Sequence, residues 1–293
     1  MRKQFVKTVE AVLKNDPKVV LLLGDIGVWG FNNASKLYPD RVHNIGILEQ
    51  STISLSAGLA MNGLIPIVHT IAPFLVERSY EQLKLDFGYQ GLGGNFVSVG
   101  SSYDYAALGC SHHCPADVPI LKQIPGMEIV LPGTPEEFND LFLESYGNGH
   151  PTYFRLSEQK NSESQKVKFG KATVVQKGTK ATVIAVGILL DRVLEASKNL
   201  DVTVLYYTTL APFDSAILKK NCPSNKILVC EPYYKGTLAT EVIDALAPRP
   251  IKIEFAGLPH KFFTNYGTAS EHDKFLKMTT GDIKNKIKKL ING

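Results

Sequence analysis

The chain has 293 residues, 44% hydrophobic and 20% charged, with 32 basic against 28 acidic side chains and a net charge of +4. At about 150 residues per domain this is room for two domains, each able to bury a core without disulfides or a structural metal. The near-balance of charge excludes a dominant basic block for nucleic acid, and no apolar run is long enough to span a membrane; four cysteines are too few for a disulfide scaffold, so a reducing cytoplasm is expected.

In chain order, Met1–Val12 intersperses Lys3, Lys7 and Glu10 among apolar residues, which predicts an amphipathic helix rather than a signal peptide. Lys18–Leu23 and Arg41–Ile45 read as strands. Leu48–Met61 is a helix stopped by Asn62-Gly63. Ile65–Ile71 is a strand, Phe74–Phe87 a helix, and Phe96–Val99 a strand running into the polar loop Gly100–Ser102. Met127–Leu131 is a strand closed by Pro132-Gly133. Thr134 then caps a helix whose first turn carries Glu136 and Glu137, as the helix dipole favours. Thr152–Leu156 is the next strand. Ser157–Lys168 is polar and charged, as an exposed linker should be. Beyond it Ala181–Val186, Val202–Tyr207, Lys226–Cys230 and Ile251–Phe255 are strands, with helices at Leu189–Leu200 and Gly236–Ala245. The cluster Lys284–Lys289 is the polar face of a last helix. The alternation predicts two α/β domains with mostly parallel sheets, one at 1–160 and one at 172–293, joined by a linker at 161–171.

Gly24–Gly30 follows the first strand but is spaced G-x-x-G-x-x-G, and no acid ends the next strand, so it is not a dinucleotide fingerprint. There is no phosphate loop of the G-x-x-x-x-G-K-[ST] type and no G-x-S-x-G elbow. Cys110-Ser-His-His-Cys114 has zinc-ligand residue types, but His112 and His113 are adjacent and diverge, which favours a polar active-site loop over a metal site. Glu49 stands where a strand passes into an apolar helix. It is either an exposed early-helix acid or a buried carboxyl near the carboxyl end of a strand, where open α/β sheets place ligands. In the second case desolvation is expected to raise its pKa. Gly236-Thr237 opens a helix whose start is free to take an anion, or forms a structural turn, with Lys235 a candidate beside it.

Six segments in order carry a resemblance: GDIG at Gly24–Gly27, PDRVHNIGILEQ at Pro39–Gln50, AGLAMNGLIPIVHTIAPFL at Ala57–Leu75, RSYEQLKLD at Arg78–Asp86, SHH at Ser111–His113 and PTYFRL at Pro151–Leu156. They resemble the pyrimidine-binding domain of the transketolase family. LYYTTLAPFD at Leu205–Asp214 and CEPYYKGTLATEV at Cys230–Val242 are similar to its C-terminal domain. The resemblance implies thiamine diphosphate as cofactor. It gives Glu49 the hydrogen bond to a ring nitrogen of the aminopyrimidine, which lets the cofactor lose its thiazolium proton and attack a ketose carbonyl. It puts Phe74 and Tyr80 around the pyrimidine, Asp25 near the cofactor across a subunit interface, and His112 at the reacting centre.

The family's diphosphate- and Mg²⁺-binding G-D-G…N motif is missing. The resemblance therefore implies one subunit of a split transketolase, paired with an N-terminal subunit as a dimer of heterodimers. Glu158 stands where sugar-phosphate transketolases have a phosphate-gripping arginine. Gly100–Ser102 lacks their phosphate-contacting histidine, and Leu108 replaces an acid. A modified, unphosphorylated or nucleotide-linked sugar is expected, with His113, Arg78 and Arg155 as further substrate contacts. The competing readings are the beta subunit of a 2-oxo acid dehydrogenase, a deoxyxylulose-phosphate-synthase-like enzyme and a non-catalytic scaffold subunit.

Overall fold

The computed structural model describes all 293 residues. It contains two sheets. The first is built from β1 (Val19–Leu23), β2 (Val42–Asn44), β3 (Ile65–Ile71), β4 (Gly94–Val99), β5 (Glu128–Val130) and β6 (Pro151–Arg155). The second is built from β7 (Thr173–Gln176), β8 (Ala181–Val186), β9 (Val202–Tyr207), β11 (Lys226–Tyr234) and β12 (Lys252–Leu258); β10 (Thr209–Ala211) leaves this half and joins the first sheet. The orders are β10-β5-β6-β4-β3-β1-β2 and β12-β11-β8-β9-β7. Every pairing is parallel except β10 with β5 and β7 with β9.

Both faces of the first sheet are covered, so all five residues of β1 are buried. Leu21 and Leu23 point into a core with Phe5, Val9, Phe138 and Phe154 beneath the helices Arg2–Asn15 and Pro135–Ser145. Val20 and Leu22 point into a second core that includes Ile53 and Phe96, and this core continues without a break to Ile184, Leu205 and Tyr233 of the other half. A third core lies under the helices Leu190–Ser197 and Thr280–Asn292. No helix is long and apolar enough to cross a membrane.

The structure differs from the sequence pattern at three places. Phe74–Phe87 is not one helix: Ala72–Val76 ends, the chain breaks at residues 77–79, and Tyr80–Gln82 leads into a π-helical stretch, Leu83–Tyr89. The apolar spacing persists, but Pro73 starts the first helix and Ser79 leaves the helical region at ψ 20°. The polar segment after β6 is not a free tether. Asn161 is buried, with Nδ2 donating to Gly187 O at 3.1 Å, and Gln165 N donates to Glu137 at 2.9 Å. Its polarity reflects buried hydrogen bonds as well as exposure. Finally, β10 has no counterpart in the sequence pattern, because three residues are too few for a periodicity signal.

Candidate functional site

β1 is flanked by β2 on one side and β3 on the other, so the winding of the first sheet reverses there. The carboxyl ends of strands at such a reversal form a crevice suited to ligands. The expected residues follow these ends: Asp25 after β1, Glu49 after β2, Phe74 after β3, and His112 on the loop after β4.

Glu49 opens the helix Glu49–Met61 and is only 3% exposed, which decides for the buried reading. Gly46, at φ 87°, lets the chain turn sharply from β2 into this helix. Arg78 Nη1 sits 2.7 Å from Glu49 Oε2, and its guanidinium lies 4.2 Å from the ring centre of Phe74. Glu49 Oε1 has no partner within the chain. His112 packs edge-on against Phe74 at 5.3 Å, and its Nδ1 bonds Ser111 Oγ at 3.0 Å, which leaves Nε2 free. Asp25 adopts a left-handed conformation, φ 62°, that aspartate tolerates better than most residues. It exchanges two hydrogen bonds with Asn44: Asp25 N donates to Asn44 Oδ1 at 3.0 Å and Asn44 Nδ2 donates to Asp25 Oδ1 at 2.7 Å. The ends of β1 and β2 are thereby locked together.

The remaining expected residues differ in their settings. Tyr80 is half-buried and packs on the main core. Arg78 is 38% exposed, yet its Nη1 is engaged by Glu49 rather than presented to a substrate anion. His113 diverges from His112 as their adjacency requires. It is buried against Phe263 and His272 of the second half, with both ring nitrogens unpaired and its pKa lowered by burial and by His272. It lines a small cavity at the domain junction with Glu77, Cys110 and Tyr234. Arg155 is shut away from solvent. It is 2% exposed and its Nε lies 2.6 Å from Asp117 Oδ2. Burial opposes its charge, but Asp117 outweighs burial and holds the pKa above the ordinary arginine value. The helix start near Gly236 is also taken: Gly236 N donates to the carboxylate of Glu231, which excludes an outside anion there. No group of three or more His, Cys, Asp or Glu side chains is arranged to hold a metal.

Sequence reasoning missed Asn44 and Asp117. Asp117 had a signal, an isolated acid among Pro115, Val118, Ile120 and Leu121. It also missed a cleft of about 490 Å³ lined by Arg2, Lys3, Lys7, Lys160 and Glu158. Arg2 and Lys160 are far apart in sequence, so only folding makes them neighbours. Arg2 lies 5.7 Å from the ring centre of Tyr105, and the rings of Tyr105 and His112 are 6.4 Å apart, so a single ring stands between Arg2 and His112.

Comparisons with known proteins show the family and the fold. Residues 1–163 match the family model for the transketolase pyrimidine-binding domain and residues 170–280 that for the transketolase C-terminal domain. The chain is 38% identical over 289 residues to an "uncharacterized 33.6 kDa protein in fasciation locus" of Rhodococcoides fascians, covering 97% of this chain and 92% of that one. It is 29% identical over 293 residues to a subunit of the apulose-4-phosphate transketolase of Phocaeicola vulgatus, covering 92% and 94%. Among solved structures it is similar to "split gene transketolase, inactive beta4 tetramer", at TM-score 0.88 and 24% identity over 99% of this chain and 98% of that one. With both family models matched in order, the chain belongs to the transketolase family, as a pyrimidine-binding domain followed by a C-terminal domain.

Proposed function

We propose that this chain is one subunit of a thiamine-diphosphate-dependent transketolase that moves a two-carbon ketol unit between sugars. The observation that carries the reading is the Glu49 carboxyl. It is nearly buried at the reversal of the first sheet, has one oxygen unpartnered, and stands beside the half-buried ring of Phe74. These residues fit the pyrimidine end of the cofactor. When bound, the cofactor acts as an electron sink for the carbon–carbon bond that is broken and remade.

In this reading Glu49 would hold the pyrimidine end of the cofactor through its unpartnered Oε1, where its carboxyl would supply or accept a proton, while Arg78 holds Oε2 and so fixes the orientation of the carboxyl. Phe74 supports the ring plane. His112 presents Nε2 to a hydroxyl or carbonyl of the sugar. Asp25, steadied by Asn44, faces the same crevice. We assign the diphosphate and its Mg²⁺ to a separate N-terminal subunit, which the relative named as a transketolase subunit supports, with two copies of each chain around a two-fold axis. Trp29, Ile47 and Leu48 support that assignment. They are exposed apolar side chains near Asp25 and Glu49 in sequence, and apolar side chains left open beside a site suit a partner surface.

The relative named for apulose 4-phosphate supports a sugar other than the usual pentose phosphates. Nη1 of Arg78 and Arg155 are engaged inside the chain, and the cleft offers further cations at Arg2, Lys3, Lys7 and Lys160. Glu158 among them weakens the cleft for a dianion. Purification from the native source, sequencing of the partner and assay of the reconstituted pair test the reading. A partner carrying G-D-G…N, with ketol transfer dependent on thiamine diphosphate and Mg²⁺, is the expected result. Ketol transfer by this chain alone, or CO₂ release from a 2-oxo acid by the pair, overturns it.

A further inference from the structure

The carboxyl end of β6 carries an arginine that the chemistry above leaves unused. Besides its ion pair with Asp117, Arg155 donates from Nη2 to Ser102 Oγ at 2.9 Å, to Cys114 O at 3.4 Å and to Pro232 O at 3.3 Å. Ser102 and Cys114 are the two stems of one loop. They face each other in an isolated antiparallel bridge, Ser102 N donating to Cys114 O at 3.2 Å and Cys114 N to Ser102 O at 2.7 Å. Residues 103–113 lie between them and carry Tyr105, Cys110, His112 and His113; within the segment Tyr103 Oη donates to Asp273 at 2.5 Å and Asp104 accepts from Ser157 Oγ at 2.8 Å. This segment has only two short helical turns, Ala106–Leu108 and Cys110–His112, and no sheet ladder.

Pro232 comes from β11, in the second half of the chain. Ser102 Oγ also donates to Pro232 O, and Tyr234 N donates to Pro115 O at 3.0 Å. Tyr153 donates to the same oxygen of Asp117 at 2.8 Å. One guanidinium therefore touches both loop stems, the residue that follows the loop into its next helix, and the C-terminal domain. The planar fork of arginine can serve acceptors in several fixed directions at once, which a lysine ammonium cannot reproduce.

We propose that Arg155 is a positioning residue for His112. It clasps the stems of the loop and fastens them to Pro232, so that the C-terminal domain takes part in the reaction by seating His112 against Phe74. The catalytic half of this inference rests on the reading of His112 given above. Without the clasp the loop still closes but samples other arrangements, and a displacement of about 1 Å at a reacting group costs about 10²-fold in rate.

Two measurements test it. In the first, the full chain alone is followed by amide hydrogen exchange. Arg155→Met is expected to speed exchange at 102–114 about tenfold or more while β3 and β8 stay protected. Unchanged protection at 102–114 overturns the clasp, whatever the enzyme's activity. In the second, the chain is reconstituted with its diphosphate-binding partner and a double-mutant cycle is run. Arg155→Met alone is expected to lower kcat about 10²-fold, with cofactor affinity little changed. In a His112→Ala background the same substitution is expected to have almost no further effect, because the two act as one unit. Losses that simply multiply overturn the positioning role. Should Arg155→Met fail to fold, Arg155→Lys carries both readouts, since it keeps the charge and gives up most of the acceptors. A reconstituted wild type with no ketol transfer defeats the functional reading, and the exchange result then still decides the clasp.

Discussion

Arg78 Nη1 lies 2.7 Å from Glu49 Oε2. Glu49 opens the helix after β2, whereas Arg78 lies in the break at residues 77–79 after β3, 29 positions further on. The pair places a cation against a carboxyl that is almost wholly buried, and it leaves the other carboxyl oxygen open to the crevice. A buried carboxyl with one oxygen held and one oxygen free is directional, as the role proposed for Glu49 requires.

Glu49→Gln tests the carboxyl itself. Glutamine keeps the shape and an oxygen to accept from Arg78, but it has no proton to share. With the partner present, turnover is expected to fall by about 10²-fold or more, while the assembly and its melting temperature stay close to those of the wild type. Steady-state kinetics and size-exclusion chromatography check this. Undiminished turnover sinks the role assigned to Glu49.

Arg78→Met tests the hold on that carboxyl. Because Arg78 is 38% exposed, solvent screens the pair and its loss is expected to cost only about 1 kcal/mol. That is a drop of about 2–4 °C in melting temperature for a domain of this size. Turnover is expected to fall far more than stability, by about tenfold or more, because orientation is lost at the reacting site. A thermal scan beside kinetics decides it, and equal, small effects on both would show that Arg78 does not orient Glu49.

Glu158→Gln tests the cleft. Glu158 is 54% exposed and lies 3.9 Å from Arg2, which is 49% exposed. Removing its charge is expected to lower KM for a phosphorylated sugar about three- to tenfold, the size of a like-charge repulsion across about 5 Å of watery medium. KM for an uncharged sugar should not move. Equal KM shifts for both sugars would place the anion elsewhere.

Glu231→Gln tests a buried acid of the second half. Glu231 is fully buried, has Oε2 unpartnered, and burial pushes its pKa from 4.5 up to about 8. A raised acid keeps its proton in the folded chain, so its stabilising protonation is complete below pH 4.5 and is lost as pH rises through 8. The wild type is expected to lose on the order of a few kcal/mol between about pH 5 and 8 that the glutamine variant does not. His69 works on the acid side. Burial lowers its pKa from 6.5 to about 4, so its contribution is lost as pH falls from 6.5 towards 4. Denaturant midpoints across this range check the prediction, and identical slopes for the two proteins would refute it.

Much of the architecture was legible before folding, and the reason is periodicity. Ile65–Ile71, Ala181–Val186 and Val202–Tyr207 were bounded to the residue, because each is a β-branched or apolar run covered on both faces and closed by turn chemistry. The helix at Pro135–Ser145 was legible from its cap, Thr134, whose hydroxyl accepts from Glu137 N at 3.2 Å. Glu49 stood out as a lone acid at a strand-to-helix junction. Short pieces such as β10 and the break at residues 77–79 escaped, since local pattern is weak over three residues.

Pairings between distant residues belong to the tertiary structure alone. Arg155 reads in sequence as an available cation, and only packing buries it against Asp117 and Pro232. Arg78 reads as free, and only the juxtaposition of two strand ends gives its Nη1 to Glu49. Arg2 and Lys160 become neighbours only when the first helix lies across the end of β6. Composition and spacing thus determined which elements form and which faces they bury, because those depend on neighbours along the chain. Which charges remain open to a ligand was decided by contacts between remote segments, since a charge is neutralised by whatever folding brings within a few ångströms of it.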